Sequence, residues 1–226
     1  MHLLATIPFA QVELRWDRTL SGGGEQRTRQ LRGALGHAFR DDGLFHQHDP
    51  VTGKLIYRYP RIHYRWRDGR GLVAGWGEAA SRLLALPWLD LTLLLGADPV
   101  VISDAVVTLT QGQFGVGERL RYYRLETPVL LFNQANYRAY LAMPESGQRA
   151  ERERLLVSNL LIALRGLDVT FPERLYASFS QLRSCPCHYK GERLLGLTGE
   201  VATNAVLPDG FALGHAVSHG FGWLRC

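Results

Sequence analysis

Apolar and polar positions alternate loosely over residues 3–16, with Val12, Leu14 and Trp16 on one parity. This predicts a first β-strand. The glycine run at 22–24 ends it in a turn. The period then changes. Over 25–40, Leu31, Leu35 and Ala38 recur at i, i+4, i+7, which predicts a helix with Arg27, Arg29 and Arg32 facing outward. Gly33 and Gly36 lie inside it. Each costs about 1 kcal/mol against Ala, which points to a close backbone approach. Strands are predicted at 54–59 and 61–67, on either side of Pro60. In the second of these, Ile62, Tyr64 and Trp66 fall on one face and read as core. Arg61, His63, Arg65 and Arg67 fall on the other. A second helix is predicted over 74–86, and a buried strand over the β-branched run 100–110.

The first half therefore reads β-α-β-β-α-β, the order of a ferredoxin-like domain. A polar, glycine-bearing stretch near 111–118 marks a boundary, giving domains 1–112 and 113–226. The second half predicts strands near 119–132, a short helix at 134–141 and a longer helix at 148–164. The longer one has Leu156, Leu160, Ala163 and Leu167 at helical spacing. Strands near 174–184 and 193–204 follow, then a glycine-bearing tail. The fold class is α+β: two tandem ferredoxin-like domains of the RRM type, the second degenerate.

Composition narrows the classes. The chain has 226 residues, 46% of them apolar and 21% charged, which is globular rather than disordered. No apolar run reaches the roughly 18 residues of a membrane span, and the N-terminus has no basic leader. A cytoplasmic protein with no membrane partner is expected. Net charge is +5, and every basic residue except Lys54 and Lys190 is arginine. A GC-rich genome yields that bias without selection. Functionally, guanidinium groups fork onto phosphate and stack on bases. The three cysteines, Cys185, Cys187 and Cys226, make neither a zinc pattern nor a disulfide framework. No metal site and no cofactor are expected.

Three segments are candidates for chemistry. His46 and His48 form an H-x-H on an extended stretch, so both rings point the same way. That spacing suits a general acid and base on one phosphate, a metal site with Asp49, or two merely structural histidines. The second segment, 54–70, interleaves aromatics with basic residues, as single-stranded RNA binding requires. Arg61, Arg65 and Arg67 are its candidate RNA contacts. The third is the loop containing Gly214, His215, Ser218, Gly220 and Gly222. Its amides can bind phosphate, or its glycines can simply turn a corner. It is not a P-loop, and nothing in the chain resembles an acyl-transfer nucleophile. His37, mid-helix, reads as structural.

Taken together, LRGALGHAF (31–39), LFHQHDPVTGKLIYRYPRIHYRW (44–66) and LGHAVSHGFGW (213–223) resemble the CRISPR-associated repeat-processing endoribonucleases, the Cas "six" family of the RAMP superfamily. The resemblance implies a metal-independent cut in each repeat of precursor CRISPR RNA. The upstream 2′-hydroxyl attacks, leaving 2′,3′-cyclic phosphate and 5′-hydroxyl ends. It also implies catalysis by His46 or His48, with His37 third in order, and CRISPR repeat RNA as partner. Retention on the mature guide RNA and association with other Cas subunits of an effector complex belong to the same expectation. The alternative is a non-catalytic crRNA-binding subunit. His215 and His219 stand where relatives often carry basic residues in the glycine-rich loop.

Overall fold

The computed structural model describes residues 5–45 and 58–226. They form two compact units. One comprises Ile7–Gln111 with Ser218–Gly220; the other comprises Gly112–Val217 and Phe221–Cys226, together with Ala5 and Thr6.

The first unit contains β1 (Ala5–Trp16), α1 (Gly24–Ala38), β2 (Ile62–Arg67), β3 (Arg70–Trp76), α2 (Glu78–Leu84), β4 (Thr92–Leu95) and the start of β5 (Asp98–Leu125). Its strand order is β2-β3-β1-β5, with β4 paired to β5. The first strand thus lies between the third and the last, as a split β-α-β unit requires. Ala10, Val12 and Leu14 of β1 are fully buried at alternate positions, and Leu31 and Leu35 of α1 pack in the same core. At Gly75 helix and sheet nearly touch: a Cβ there would lie 2.8 Å from the Ala79 carbonyl oxygen.

Several local expectations change. The β-hairpin is β2–β3, turned by Asp68 and Gly69 with φ 51° and 76°. Those are the positive angles of a two-residue hairpin turn. Residues 74–76 therefore belong to a strand, and α2 begins only at Glu78. Residues 58–60 are not strand, and 54–57 lie outside the described residues. In β5, Val100 and Ile102 are buried, but Val106, Val107 and Leu109 are exposed. Within α1, Ala38 is exposed and nothing comes within 4 Å of a Cβ on Gly33, so that glycine answers no close approach; Gly36 is buried. Arg27 does not face outward. It is 6% exposed, pairs with Asp98 at 2.8 Å, and donates to the Ser21 and Leu95 carbonyls. A buried guanidinium needs that set of acceptors to offset lost hydration.

In the second unit β5 continues without a break through the polar stretch. α3 (Gln134–Leu141), α4 (Glu145–Gly166), β6 (Ala177–Tyr189), β7 (Glu192–Val206) and β8 (Leu224–Arg225) follow. The order is β5-β7-β6, with β8 beside the end of β5. Asn133 caps α3 by accepting from the Asn136 amide, and Asn136 reciprocates. Leu156, Leu160, Ala163 and Leu164 form the buried stripe of α4. A tight turn at Lys190-Gly191 (φ 51° and 79°) joins β6 to β7. Over 207–223 the chain forms a 3₁₀ turn, Val217–His219, and two isolated β-bridges, Leu130 to His215 and Ala212 to Trp223. Its start is fixed by Tyr123, whose hydroxyl donates to the Ala205 carbonyl and accepts from the Leu207 amide.

Candidate nucleic-acid interface

His46 and His48, with Asp49 and Lys54, lie outside the described residues. Phe45, the residue that precedes them in the chain, is buried in the core of the first unit. His37 is exposed in the last turn of α1, on the side away from Leu31 and Leu35.

The basic strand is less uniform than alternation predicts. Ile62 and Tyr64 are core, and Trp66 stacks on Trp16 with ring centroids 5.4 Å apart. On the opposite parity, His63 is completely buried. Its Nε2–H donates to the Pro60 carbonyl at 2.8 Å, and burial lowers its pKa to about 4. The ring is therefore neutral at ordinary pH. Arg61, just before β2, pairs with Glu78 at 3.8 Å with its side chain only 22% exposed. It braces the turn into α2. Only the far end of the face is open: Arg65 is half-buried and Arg67 exposed, opposite Arg70, which bonds Glu13. The four-residue basic face expected from parity thus narrows to Arg65 and Arg67, because its beginning is packed.

The C-terminal loop also divides. Gly214, Gly220 and Gly222 all have positive φ, at 97°, 89° and 73°. The Gly222 amide donates to the Pro128 carbonyl at 2.9 Å, and its carbonyl accepts from Leu213. A Cβ on Gly222 would fall on the Leu213 carbonyl oxygen. At Gly214 it would meet Leu130 O at 2.8 Å. These glycines answer a backbone requirement, and the Gly222 amide is committed within the fold. Ser218 is 8% exposed. His215 presents an exposed side chain, while its amide donates to Leu130. Surrounding chain lowers its pKa, partly opposed by a bond at the Leu131 backbone. The tip, Ser218–Gly220, belongs to the same compact unit as β2. A Cβ on Gly220 would lie 2.9 Å from the Thr28 methyl and 3.1 Å from the Tyr64 carbonyl. The fold thus brings the loop tip beside the strand that carries Arg65 and Arg67.

No group of three metal-ligating side chains occurs among the described residues. Cys185 and Cys187 lie with sulfurs 3.9 Å apart and form no disulfide. No described helix is long and apolar enough to cross a membrane.

A chain of two α+β units, the first a split β-α-β and the second carrying the glycine-rich tail, has the tandem ferredoxin-like fold of Cas6 proteins. The Cas6b N-terminal domain family matches residues 5–98, and the Cas6b C-terminal domain family matches 115–226. The protein belongs to the Cas6b family. It is similar to a crystal structure of Cas6b at TM-score 0.86 and 23% identity, over 97% of this chain and 99% of the other. A crystal structure of the CRISPR RNA processing endoribonuclease Cas6b aligns at TM-score 0.74 and 21% identity, over 97% and 98%. A Cas6 product complex aligns at 0.56 and 15%, over 96% and 98%. An uncharacterized protein of Methanocaldococcus jannaschii is 34% identical over 110 residues, which is 49% of this chain and 75% of that one.

Proposed function

We propose that this protein cuts precursor CRISPR RNA once within each repeat, without a metal ion, by attack of the upstream 2′-hydroxyl on the scissile phosphate. Cas6b membership across both halves of the chain carries this reading. One histidine of the pair His46 and His48 takes the 2′-hydroxyl proton. The other delivers a proton to the departing 5′-oxygen, and the phosphate closes to a 2′,3′-cyclic ester. Neutral imidazole at ordinary pH suits the base, and imidazolium the acid. In-line attack requires the RNA backbone to be held, and charge on the phosphorane requires nearby donors. Arg65, Arg67 and His215 are the groups we assign to holding RNA. Arg61 and Gly222 support the fold around them.

The decisive experiment incubates the protein with a CRISPR repeat RNA in excess EDTA and characterises both product ends. A single cut with a cyclic phosphate and a free 5′-hydroxyl is expected. Activity abolished by EDTA and restored by one divalent ion, or a 5′-phosphate on the product, refutes the mechanism. Tight binding without cleavage favours a crRNA-binding subunit instead.

A further inference from the structure

The second unit presents a surface that the proposed chemistry does not use. Arg174 and Tyr176 precede β6, and both are exposed; Tyr176 is 54% exposed. The Arg174 guanidinium lies over the Tyr176 ring, 5.3 Å from its centroid. Two buried polar side chains hold the backbone beneath them. Asn204 Oδ1 accepts from the Tyr176 amide at 2.8 Å, and its Nδ2 donates to the Arg174 carbonyl at 2.9 Å. The Thr203 hydroxyl donates to the Tyr176 carbonyl at 2.6 Å. Thr203 is fully buried and Asn204 is 8% exposed. Both thus spend their polar groups on fixing a segment whose two large side chains face water.

A second aromatic shares this side of the sheet. Tyr122 pairs in register with Ala202, and Ala202 with Ser178, two residues after Tyr176. Two interstrand steps of about 4.8 Å and one two-residue step along the strand put the tyrosines about 12 Å apart. Tyr122 is 57% exposed. Arg124 follows on the same parity, and neither it nor Arg174 has an acidic partner among the described residues. The one carboxylate on these rungs, Glu200, is engaged by the Ser180 hydroxyl at 2.6 Å.

We propose that Arg174, Tyr176 and Tyr122 form a stacking platform for unpaired nucleotides of RNA. The proposal rests on the RNA-processing reading above and adds a contact outside the cleavage centre. Aromatic faces accept any base, and a guanidinium stacked on the ring adds a positive charge for the adjoining phosphate. An apolar protein partner fits less well, because the tyrosines are flanked by Arg124 and Arg174 and separated by the small side chains of Ala202 and Ser178. Asn204 and Thr203 already fix the backbone beneath Arg174 and Tyr176, which lowers the cost of ordering that part of the platform.

The test uses a labelled 12-nucleotide single-stranded RNA without repeat sequence, and in parallel a repeat RNA cleaved under single-turnover conditions. Tyr176→Ala should weaken binding of the 12-mer at least about fivefold, the lower end of stacking losses. Tyr176→Phe, which keeps the ring, should bind as wild type does. Arg174→Ala should reduce the magnitude of the slope of log K against log[salt] by roughly 0.7. Cleavage at saturating repeat RNA should be unchanged in all three. Equal 12-mer affinity for Tyr176→Ala and wild type overturns the platform while leaving the cleavage reading intact. Failure of the wild type to bind the 12-mer overturns it too, whether or not the repeat is cut. Failure to cut the repeat, with the tyrosine effect present, counts against the cleavage reading alone.

Discussion

Replacing Gly222 by Ala separates a structural glycine from an RNA-contacting one. The position has φ 73°, and an added Cβ would coincide with the Leu213 carbonyl oxygen. A left-handed conformation costs an L-residue about 1–2 kcal/mol. Displacing a packed backbone adds about 1–3 kcal/mol. The displaced carbonyl belongs to the residue whose amide bonds Gly222 O at 3.0 Å, while Gly222 N bonds Pro128 O, so relaxation disturbs both hydrogen bonds. For a chain of this length each kcal/mol lowers Tm by about 2–4 °C, so a fall of roughly 5–15 °C is expected. Differential scanning calorimetry reads it, and repeat-RNA affinity is measured on the folded fraction at low temperature. Affinity should be near wild type, because the amide that a phosphate would need already serves Pro128. Gly222→Asn tests the cause. Asn tolerates positive φ but still brings a Cβ, so it should recover little stability. A Gly222→Ala variant melting within about 1 °C of wild type, with RNA binding lost, would refute the reasoning and return the loop to phosphate contact.

Three further outcomes are expected. His46→Ala or His48→Ala should lower single-turnover cleavage at least about tenfold with little change in RNA affinity, as loss of an acid or base does; normal cleavage by both variants moves attention to His37. His63 is buried with a pKa near 4 against an ordinary 6.5, so the unfolded chain takes up the proton first. Its stabilising effect is present above pH 6.5 and is lost as pH falls toward 4, by about 3 kcal/mol in all. A His63→Gln variant should show a flatter stability profile over that range. Gly33→Ala, on an exposed helical turn with open space around it, should stabilise the fold by up to about 1 kcal/mol, read as a raised Tm.

Periodicity revealed elements more faithfully than their edges. The 3.6-residue stripe of α4 and the alternation in β1 were legible because core contact alone sets those patterns. The hairpin β2–β3 was misplaced although Asp68-Gly69 signals it, because Gly71 and Gly75 dilute the apolar alternation of β3. Those glycines answer crowding visible only in three dimensions: a Cβ at either would fall within about 3 Å of Trp16 or Ala79. Arg27 illustrates a different limit. Helical spacing puts it beside outward-facing arginines, but Asp98, far along the chain, supplies the partner that lets it be buried. For the candidate site, alternation grouped Arg65 and Arg67, which are half-buried and exposed at the end of β2, yet gave no hint that His63 is packed and Arg61 engaged. The Arg174–Tyr176 pair had a signal in the buried Leu175 between two exposed residues, but the support from Asn204 comes from a distant strand.

The arginine excess is evidence for RNA contact only after the paired arginines are set aside. Arg82 binds Asp42, Arg70 binds Glu13 and Arg154 holds Glu151 through two nitrogens, so these guanidiniums face local carboxylates. Arg67 is exposed and has no acidic partner among the described residues. Arg67→Ala and Arg82→Ala remove the same formal charge, so a nonspecific effect of net charge would weaken RNA binding equally in both. A phosphate contact predicts otherwise. Arg67→Ala should flatten log K against log[salt] by roughly 0.7, the share of one contact to single-stranded RNA. Arg82→Ala should leave that slope unchanged and show instead a small loss of Tm, as partly exposed ion pairs contribute on the order of 1 kcal/mol or less. Filter binding across a salt series with both variants decides between them. Equal slopes for the two would mean that the overall positive field, rather than the open end of β2, holds the RNA. The partition of arginines into structural and RNA-facing sets would then be wrong.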